Sequence, residues 1–325
     1  MNNHFKTLEP LIKLKSNIAD AEEFHAIVNV VFHDVEAKYY DKLHQDMWKS
    51  LPSQYRLLVD NIRPYLTNLR KIKLLDIGCG TGLATQMLLE AGTKELIGKI
   101  TLLDTSPVML NEAQKRSRKW GKETEIVNGE INALSGEFDM IIISSVLHHI
   151  PDLDSFLKKI SDLQAKGGIL ITIHDPSSEA MHSDIYLDRC REFTEYQKQT
   201  KPALTLADRI INKLRRTFWP QNYLDKVNTI LINKKVINEP LTGEEIWSVT
   251  DIHVEGLPYS KNDGVSKQML TDALSAYQLI NYSTYDFFGT PISNLTSLYL
   301  KKEQELSLKG DLNGRNFSST WIKTK

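Results

Sequence analysis

The spacing of hydrophobic positions changes along this chain. In residues 1 to 70 it is helical: Ile27, Val28, Val31 and Phe32 share one face, and Leu51-Pro52-Ser53 opens a second helix running through Leu57 to Ile62. From Lys71 short apolar runs alternate with helical patterns, the arrangement of βαβ units around a parallel sheet. Strands are predicted over 72–77, 100–104, 124–127 (edge-like), 138–143 and 168–173. Helices are predicted over 83–91 with Gly92 as the stop, from the cap pair Ser106-Pro107 to Gly121, and over 155–163. After Asp175-Pro176 the pattern becomes helical (185–196, 204–218, 223–232), in a stretch too long for a plain loop. A helix over 266–276 and strands over 279–288 and 295–300 follow, and residues 306–325 read as a polar, frayed tail. The expected fold is α/β: a Rossmann-like, doubly wound, mostly parallel sheet of seven strands. Its segments are an N-terminal helical cap (1–70), a cofactor-binding core (71–176), a helical insertion after strand five (177–262), the rest of the sheet (263–305) and the tail (306–325).

Composition narrows the function. With 325 residues, 41% of them apolar and 25% charged, the chain can bury a large core. A formal net charge of −1 gives no overall field toward nucleic acid or anionic lipid, so neither partner is expected. Cys79 and Cys190 are too few for a disulfide framework or a cysteine-based zinc site; no metal is expected, and a reducing compartment is. The N-terminus lacks the apolar run of a signal peptide, and runs such as Met140–Ile143 are strand-sized, so the expectation is a cytoplasmic protein without a membrane span.

The chemistry concentrates where the first strand ends. Gly78, Gly80 and Gly82 lie between a strand and a helix, where the chain must turn sharply and admit a ligand to bare backbone. Asp76, two residues before Gly78, would repel a pyrophosphate at this helix N-terminus but suits a cationic ligand. Position 83 is Leu, which departs from G-x-G-x-x-G, and no G-K-[ST] follows, which excludes a P-loop. Asp104, at the end of the second strand and 22 residues beyond Gly82, can accept both hydroxyls of a ribose or cap the helix from Ser106.

From Lys71 to Pro176 the chain resembles the core of class I S-adenosylmethionine-dependent methyltransferases. The resemblance rests on Asp76-x-Gly78-x-Gly80-x-Gly82, on Asp104, and on Asn128-Gly129-Glu130-Ile131 after strand three. It implies S-adenosyl-L-methionine as cofactor, with Asp104 and the adjoining Thr105 at the ribose, and Glu130 and Ile131 at the adenine. Met109 matches a position whose apolar side chain lies on the adenine face or packs in the core. The family more often carries Asp at the position of Glu130. Tyr40, in Asp34-Val35-Glu36-Ala37-Lys38-Tyr39-Tyr40-Asp41, matches an Ala-x-x-Tyr-Asp segment that folds over the cofactor's carboxylate. After strand four, Ser144 and Ser145 should line the methionine end. His148, in Ser144-Ser145-Val146-Leu147-His148-His149-Ile150-Pro151-Asp152, falls where some small-molecule O-methyltransferases carry a catalytic base; the alternative is a structural histidine, as expected for His149. His174 and Asp175 end strand five, either to line an acceptor pocket or to turn the chain out. The loop has neither the Asp/Asn-Pro-Pro-Tyr/Phe motif that grips a flipped base nor the glutamate pair of protein arginine methyltransferases.

In the insertion, Arg209, Lys213, Arg215 and Arg216 beside Trp219 form a basic helix end, which is a solvated face or a contact for an anionic carrier protein, a phosphate or a membrane surface. Trp247, Asp251 and His253 are further candidates, Asp251 and His253 either orienting a proton acceptor or forming a structural pair. The function expected is methyl transfer to an O, N or C nucleophile of a small molecule, a specialised metabolite. The alternatives are a protein or RNA substrate, an NAD-type oxidoreductase, and a catalytically silent cofactor-binding protein.

Overall fold

The structure, a computed structural model, describes residues 3–66, 71–200 and 222–325. Its centre is one seven-stranded sheet in the order β3-β2-β1-β4-β5-β7-β6. The strands are β1 (Ile72–Ile77), β2 (Ile97–Asp104), β3 (Glu123–Asn128), β4 (Phe138–Ser144), β5 (Gln164–Pro176), β6 (Tyr277–Tyr285) and β7 (Asn316–Lys323). β3, β2, β1, β4 and β5 run parallel, and β7 is antiparallel to both its neighbours. β1 and β4 are buried almost throughout, as expected for strands covered on both faces. The strand order reverses between β1 and β4, the point of an open α/β sheet where a crevice opens beyond the carboxyl ends.

The helices are α1 (Glu9–Lys15), α2 (Ala21–Glu36), α3 (Tyr40–Leu43), α4 (Gln45–Leu66), α5 (Leu83–Leu88), α6 (Pro107–Ser117), α7 (Leu153–Leu163), α8 (Ser178–Met181), α9 (Asp184–Thr200), α10 (Asn222–Asn233), α11 (Gly243–Thr250), α12 (Lys267–Ala273) and α13 (Ser297–Leu308). Their starts follow capping chemistry. Asp20 accepts from the amides of Glu22 and Glu23, Ser106 from Met109, and Thr242 with Glu245 completes a capping box. One apolar layer covers the sheet with Leu58, Ile62, Met87 and Ala113; the other covers it with Leu157, Ile160, Leu270 and Trp321. A third cluster joins α1 and α2 to α10 and α11, where Leu11, Phe24 and Val28 meet Val227, Leu231, Ile246 and Val249. Lys15 ties the same elements together, its Nζ lying 2.7 Å from Glu245. The N-terminal segment and the stretch after strand five therefore share one core.

Three expectations are corrected. The helix expected to open at Leu51-Pro52-Ser53 begins at Gln45 and carries Pro52 inside it. Residues 295–300, expected to be the last strand, belong mainly to α13, where Tyr299 is buried against Phe193 and Phe288. Residues 306–325 are no polar tail: they end in β7, inserted between β5 and β6 with Phe317 and Trp321 buried. Polar side chains there are satisfied across the strands, Ser319 with Thr172 at 2.6 Å and Ser318 with Ser283 at 2.9 Å. The helix expected over 204–218, and with it Arg209, Lys213, Arg215, Arg216 and Trp219, lies outside the described residues. Among the described residues, no helix is long and apolar enough to cross a membrane.

Candidate active site

A cavity of about 840 Å³ opens beyond the carboxyl ends of β1, β2 and β4, walled by the glycine turn, the loop after β4, and α2, α3 and α4. Ten of the expected cofactor residues and the expected base bear on it as follows. Tyr40, Gly78, Gly80, Asp104, Thr105, Met109, Glu130, Ile131, Ser144, Ser145 and His148 all line the cavity. Asp76 and Gly82 do not. Gly78, Gly80 and Gly82 have φ of 63°, 52° and 81°, a left-handed path that glycine takes without strain. A Cβ on Gly78 would meet Val146 at 2.5 Å, whereas at Gly80 it would find nothing within 4 Å. Gly80 thus offers bare backbone to a ligand. Gly82 instead caps α5 and allows Trp120 to pack close, at 3.2 Å from a notional Cβ.

Asp76 is fully buried beneath the turn, its Oδ2 accepting from Thr85 Oγ1 at 2.6 Å while Oδ1 has no partner. Burial pushes its carboxyl up to about 7. The orphaned oxygen and the open Gly80 are features a cationic ligand would fit. Asp104 accepts from the amides of Gly80 and Ser106, both at 2.8 Å, so the expected ribose acid also closes the turn and starts the approach to α6. Burial raises its carboxyl above the ordinary range against those two hydrogen bonds.

Two histidines follow β4. His148 Nδ1 lies 2.8 Å from Asp175 Oδ1, which also accepts from the His148 amide at 3.2 Å, leaving Nε2 without that partner and 3.8 Å from Asp251. His149 Nδ1 lies 2.7 Å from the Thr250 carbonyl and 3.2 Å from Asp251. Burial and the neighbouring His149 lower the His148 imidazole. Burial would do the same to His149, but Asp251, the Thr250 carbonyl and Asp175 together outweigh it and raise that ring. His148, His149 and Asp251 bring one donor atom each within 4.8 Å of one another, a spacing that could hold a metal ion. His253, by contrast, is bound to Asp263 at 2.7 Å and to the Ile150 carbonyl at 3.0 Å, so the pairing considered for Asp251 and His253 does not form. His174 bonds Tyr285 at 3.0 Å, and neither it nor Asp175 lines the cavity.

Residues 75–170 match the family described as a methyltransferase domain. The chain carries a methyltransferase domain. The chain is 24% identical over 254 residues to the non-reducing polyketide synthase prhL of Penicillium brasilianum, covering 73% of this chain and 10% of that protein. It is 30% identical over 105 residues to the ubiquinone biosynthesis O-methyltransferase of Methylocella silvestris, covering 31% of this chain and 39% of that enzyme. It thus spans a tenth of the synthase's length and well under half of the O-methyltransferase's. Among solved structures, the plantazolicin methyltransferase BpumL in complex with a triazolic desmethylPZN analog and SAH superposes with a TM-score of 0.48 at 13% identity, over 98% of this chain and 100% of that one.

The cavity also holds residues that sequence spacing did not reveal, and others fasten its walls. Glu36 meets His44 at 3.1 Å and His33 at 3.5 Å; against the upward push of burial, both imidazoles hold its carboxyl down at about 2. Tyr55 Oη donates to Ser144 at 3.2 Å from α4. Asp34 accepts from Ser106 Oγ at 2.6 Å, and Asp41 pairs with Arg116 at 2.6 Å, so α2 and α3 are fastened to α6 at two points. Asp34 and Asp41 flank Tyr40 in one stretch of sequence, but only the fold shows what each one grips.

Proposed function

We propose that this protein transfers a methyl group from S-adenosyl-L-methionine to a small organic acceptor, with His148 as the general base. The observation that carries this is the His148–Asp175 contact at 2.8 Å. It keeps the ring proton on Nδ1 and leaves a lone pair on Nε2 of a residue that lines the cavity. When bound, the cofactor supplies an electrophilic methyl on a sulfonium. Asp104 and Thr105 would hold the ribose, Met109, Glu130 and Ile131 the adenine, and Ser144, Ser145 and Tyr40 the methionine end. Asp76 would answer the positive charge from below. The N-terminal segment serves as lid and residues 177–262 as acceptor cap, excluding water and aligning the nucleophile. Similarity to part of a polyketide synthase and part of an O-methyltransferase supports a small organic acceptor, free or held on a carrier, methylated at O, N or C. Two unpaired cysteines are in keeping with a cytoplasmic setting.

Calorimetry with S-adenosylmethionine, its demethylated product S-adenosylhomocysteine, and NAD tests the cofactor; binding of NAD alone would overturn the reading. The base is tested by Asp175→Asn. Its amide cannot fix the same tautomer, so turnover should fall by about 10²–10⁴, the range of a lost general base, with cofactor affinity retained.

A further inference from the structure

We propose that His149, held by Asp251, is a second working group beside His148: an imidazolium whose Nε2–H binds the oxyanion formed when the acceptor loses its proton. The acceptor is then an enolisable carbonyl compound or a phenol, not an amine. This rests on the methyl-transfer reading and adds to it the chemical class of the acceptor.

The two rings lie side by side on the cavity wall, 4.0 Å between centroids, and each Nδ1 faces a carboxylate from a different part of the chain, with Asp251 also 3.8 Å from His148 Nε2. Asp175, ending β5, serves His148; Asp251, just after α11, lies 3.2 Å from His149 Nδ1. The Thr250 carbonyl, 2.7 Å from the same nitrogen, can only accept, so Nδ1 carries a proton. With an anionic carboxylate alongside, a second proton on Nε2 is favoured. Around His149 stand His25 and His33 from α2, His148, Asp251 and Asp175; the imidazoles oppose its charge and the carboxylates support it. Burial and His149 lower His148, while Asp251 raises His149 against burial. Neighbouring titratable groups pushed apart in this way divide into base and acid.

The rest of the cavity sharpens the assignment. Among the described lining residues the one ammonium or guanidinium is Lys159, on α7, which packs against the 131–133 turn at the adenine end. Beside Asp251 and Glu36, which themselves line the cavity, the groups that could carry positive charge toward an anion on the histidine side are imidazoles. In the step, His148 Nε2 takes a proton from a C–H or O–H of the acceptor, and the bonding pair remains on the acceptor as an enolate or phenolate. His149 Nε2–H hydrogen-bonds that oxygen. The acceptor's pair then forms the bond to the methyl carbon as the methyl–sulfur bond breaks, its pair passing to sulfur, and His148 releases its proton to water. An amine would form no oxyanion and would meet an imidazolium as it approached.

The test uses the full chain loaded with S-adenosylhomocysteine in deuterated buffer, with ethyl acetoacetate as the enolisable probe and 4-nitrophenol as the phenolic one. Expected are faster exchange at C2 of the keto ester, read by NMR, or stabilised bound phenolate, read by absorbance; the responding probe tells the two sources apart. Removing an oxyanion donor costs about 10²–10³ in rate. His149→Gln, which keeps an N–H for Thr250, and Asp251→Asn should therefore each lose about a hundredfold of the exchange acceleration, or the corresponding phenolate stabilisation, with calorimetric affinity for S-adenosylhomocysteine within about twofold of the parent. An undiminished response in both variants overturns the proposal. So does methylation of benzylamine from S-adenosylmethionine with neither probe responding, an outcome that leaves the methyl-transfer reading standing. Abolition of the response by a chelator and its return with a divalent metal would make His148, His149 and Asp251 ligands and also overturn it. Failure to bind S-adenosylhomocysteine removes the reading on which the proposal rests.

Discussion

Replacing Asp104 with Ala should weaken the cofactor through two separable losses. The carboxylate is the expected acceptor for the ribose hydroxyls, and a hydrogen bond to a charged group contributes about 1.5–3 kcal/mol. It also accepts from the amides of Gly80 and Ser106, each at 2.8 Å, which fixes the glycine turn against the end of β2. Without it those amides lose their partner, and the turn must be ordered by the ligand. A combined loss of about 2–3 kcal/mol corresponds to roughly a 30- to 150-fold rise in Kd. Asp104→Asn does not rescue, because its NH2 would face one of two amides that are themselves donors. The assay is titration calorimetry with S-adenosylhomocysteine, beside chemical unfolding to confirm that the variant folds. A folded Asp104→Ala protein binding within about twofold of the parent would refute both the ribose assignment and the claim that this acid preorganises the turn.

Trp321→Ala should cost about 3–5 kcal/mol by denaturant unfolding, since the ring is buried in the sheet's apolar layer and its Nε1 donates to Ser319 at 2.7 Å; a loss under about 1 kcal/mol would contradict the placement of β7. Asp76→Asn should change the pH dependence of the ligand-free protein. The folded carboxyl titrates at about 7 against an ordinary 3.8, so its contribution is complete below 3.8 and is lost as pH rises through 7. The Asn variant should therefore unfold at higher temperature than the parent at pH about 8, with the gap closing in acid, while gaining less Tm from S-adenosylhomocysteine; equal Tm values across that range would count against the buried acid. Arg116→Ala removes the ion pair to Asp41 and the guanidinium that lies 4.9 Å from the Trp48 ring centroid. Limited proteolysis near α3 and stopped-flow release of S-adenosylhomocysteine should both become several-fold faster, and unchanged rates would show that this contact does not hold the lid.

What the sequence revealed is what its local chemistry enforces. The glycine turn and the Ser106 cap act within a few residues of themselves, and Asp104 ends the next strand at a fixed distance from the turn it closes, so spacing locates all three. β7 escaped because its Ser318-Ser319-Thr320 reads as polar loop; its partners, Thr172 and Ser283, lie far away in the chain. Residues 295–300 have strand-like side chains, yet Tyr299 and Glu303, one helical turn apart, are both buried on α13. At the site, Glu36 looked like an ordinary acid of an amphipathic helix, and Asp251 was read beside His253, two residues on. Only the fold brings His33 and His44 to one and His149 to the other. Asp76 was read correctly as a strand-end acid, but its burial beneath the turn depends on β1 lying between β2 and β4.

The shared core of the two caps bears on how such a site can work. Glu36 and His33 belong to α2, and Asp251 directly follows α11, while α2 and α11 are joined through Phe24, Val28, Ile246 and Val249. A motion that opens the cofactor side must therefore either break that apolar cluster or carry Asp251 with it. Breaking it would expose several large side chains, at roughly 1.5–3 kcal/mol each; carrying Asp251 away costs instead its 3.2 Å contact with His149. The second route also gives up the 2.7 Å contact between the Thr250 carbonyl and His149. It would strip His149 of its carboxylate. Segment 250–261 holds the other side of this arrangement, with the His253 amide on the His148 carbonyl at 3.2 Å and Lys261 on the Pro151 carbonyl at 2.9 Å. The helices that wall the cavity and the carboxylate that faces His149 are thus parts of one packed unit, because α2 and α11 share the cluster that Asp251 follows.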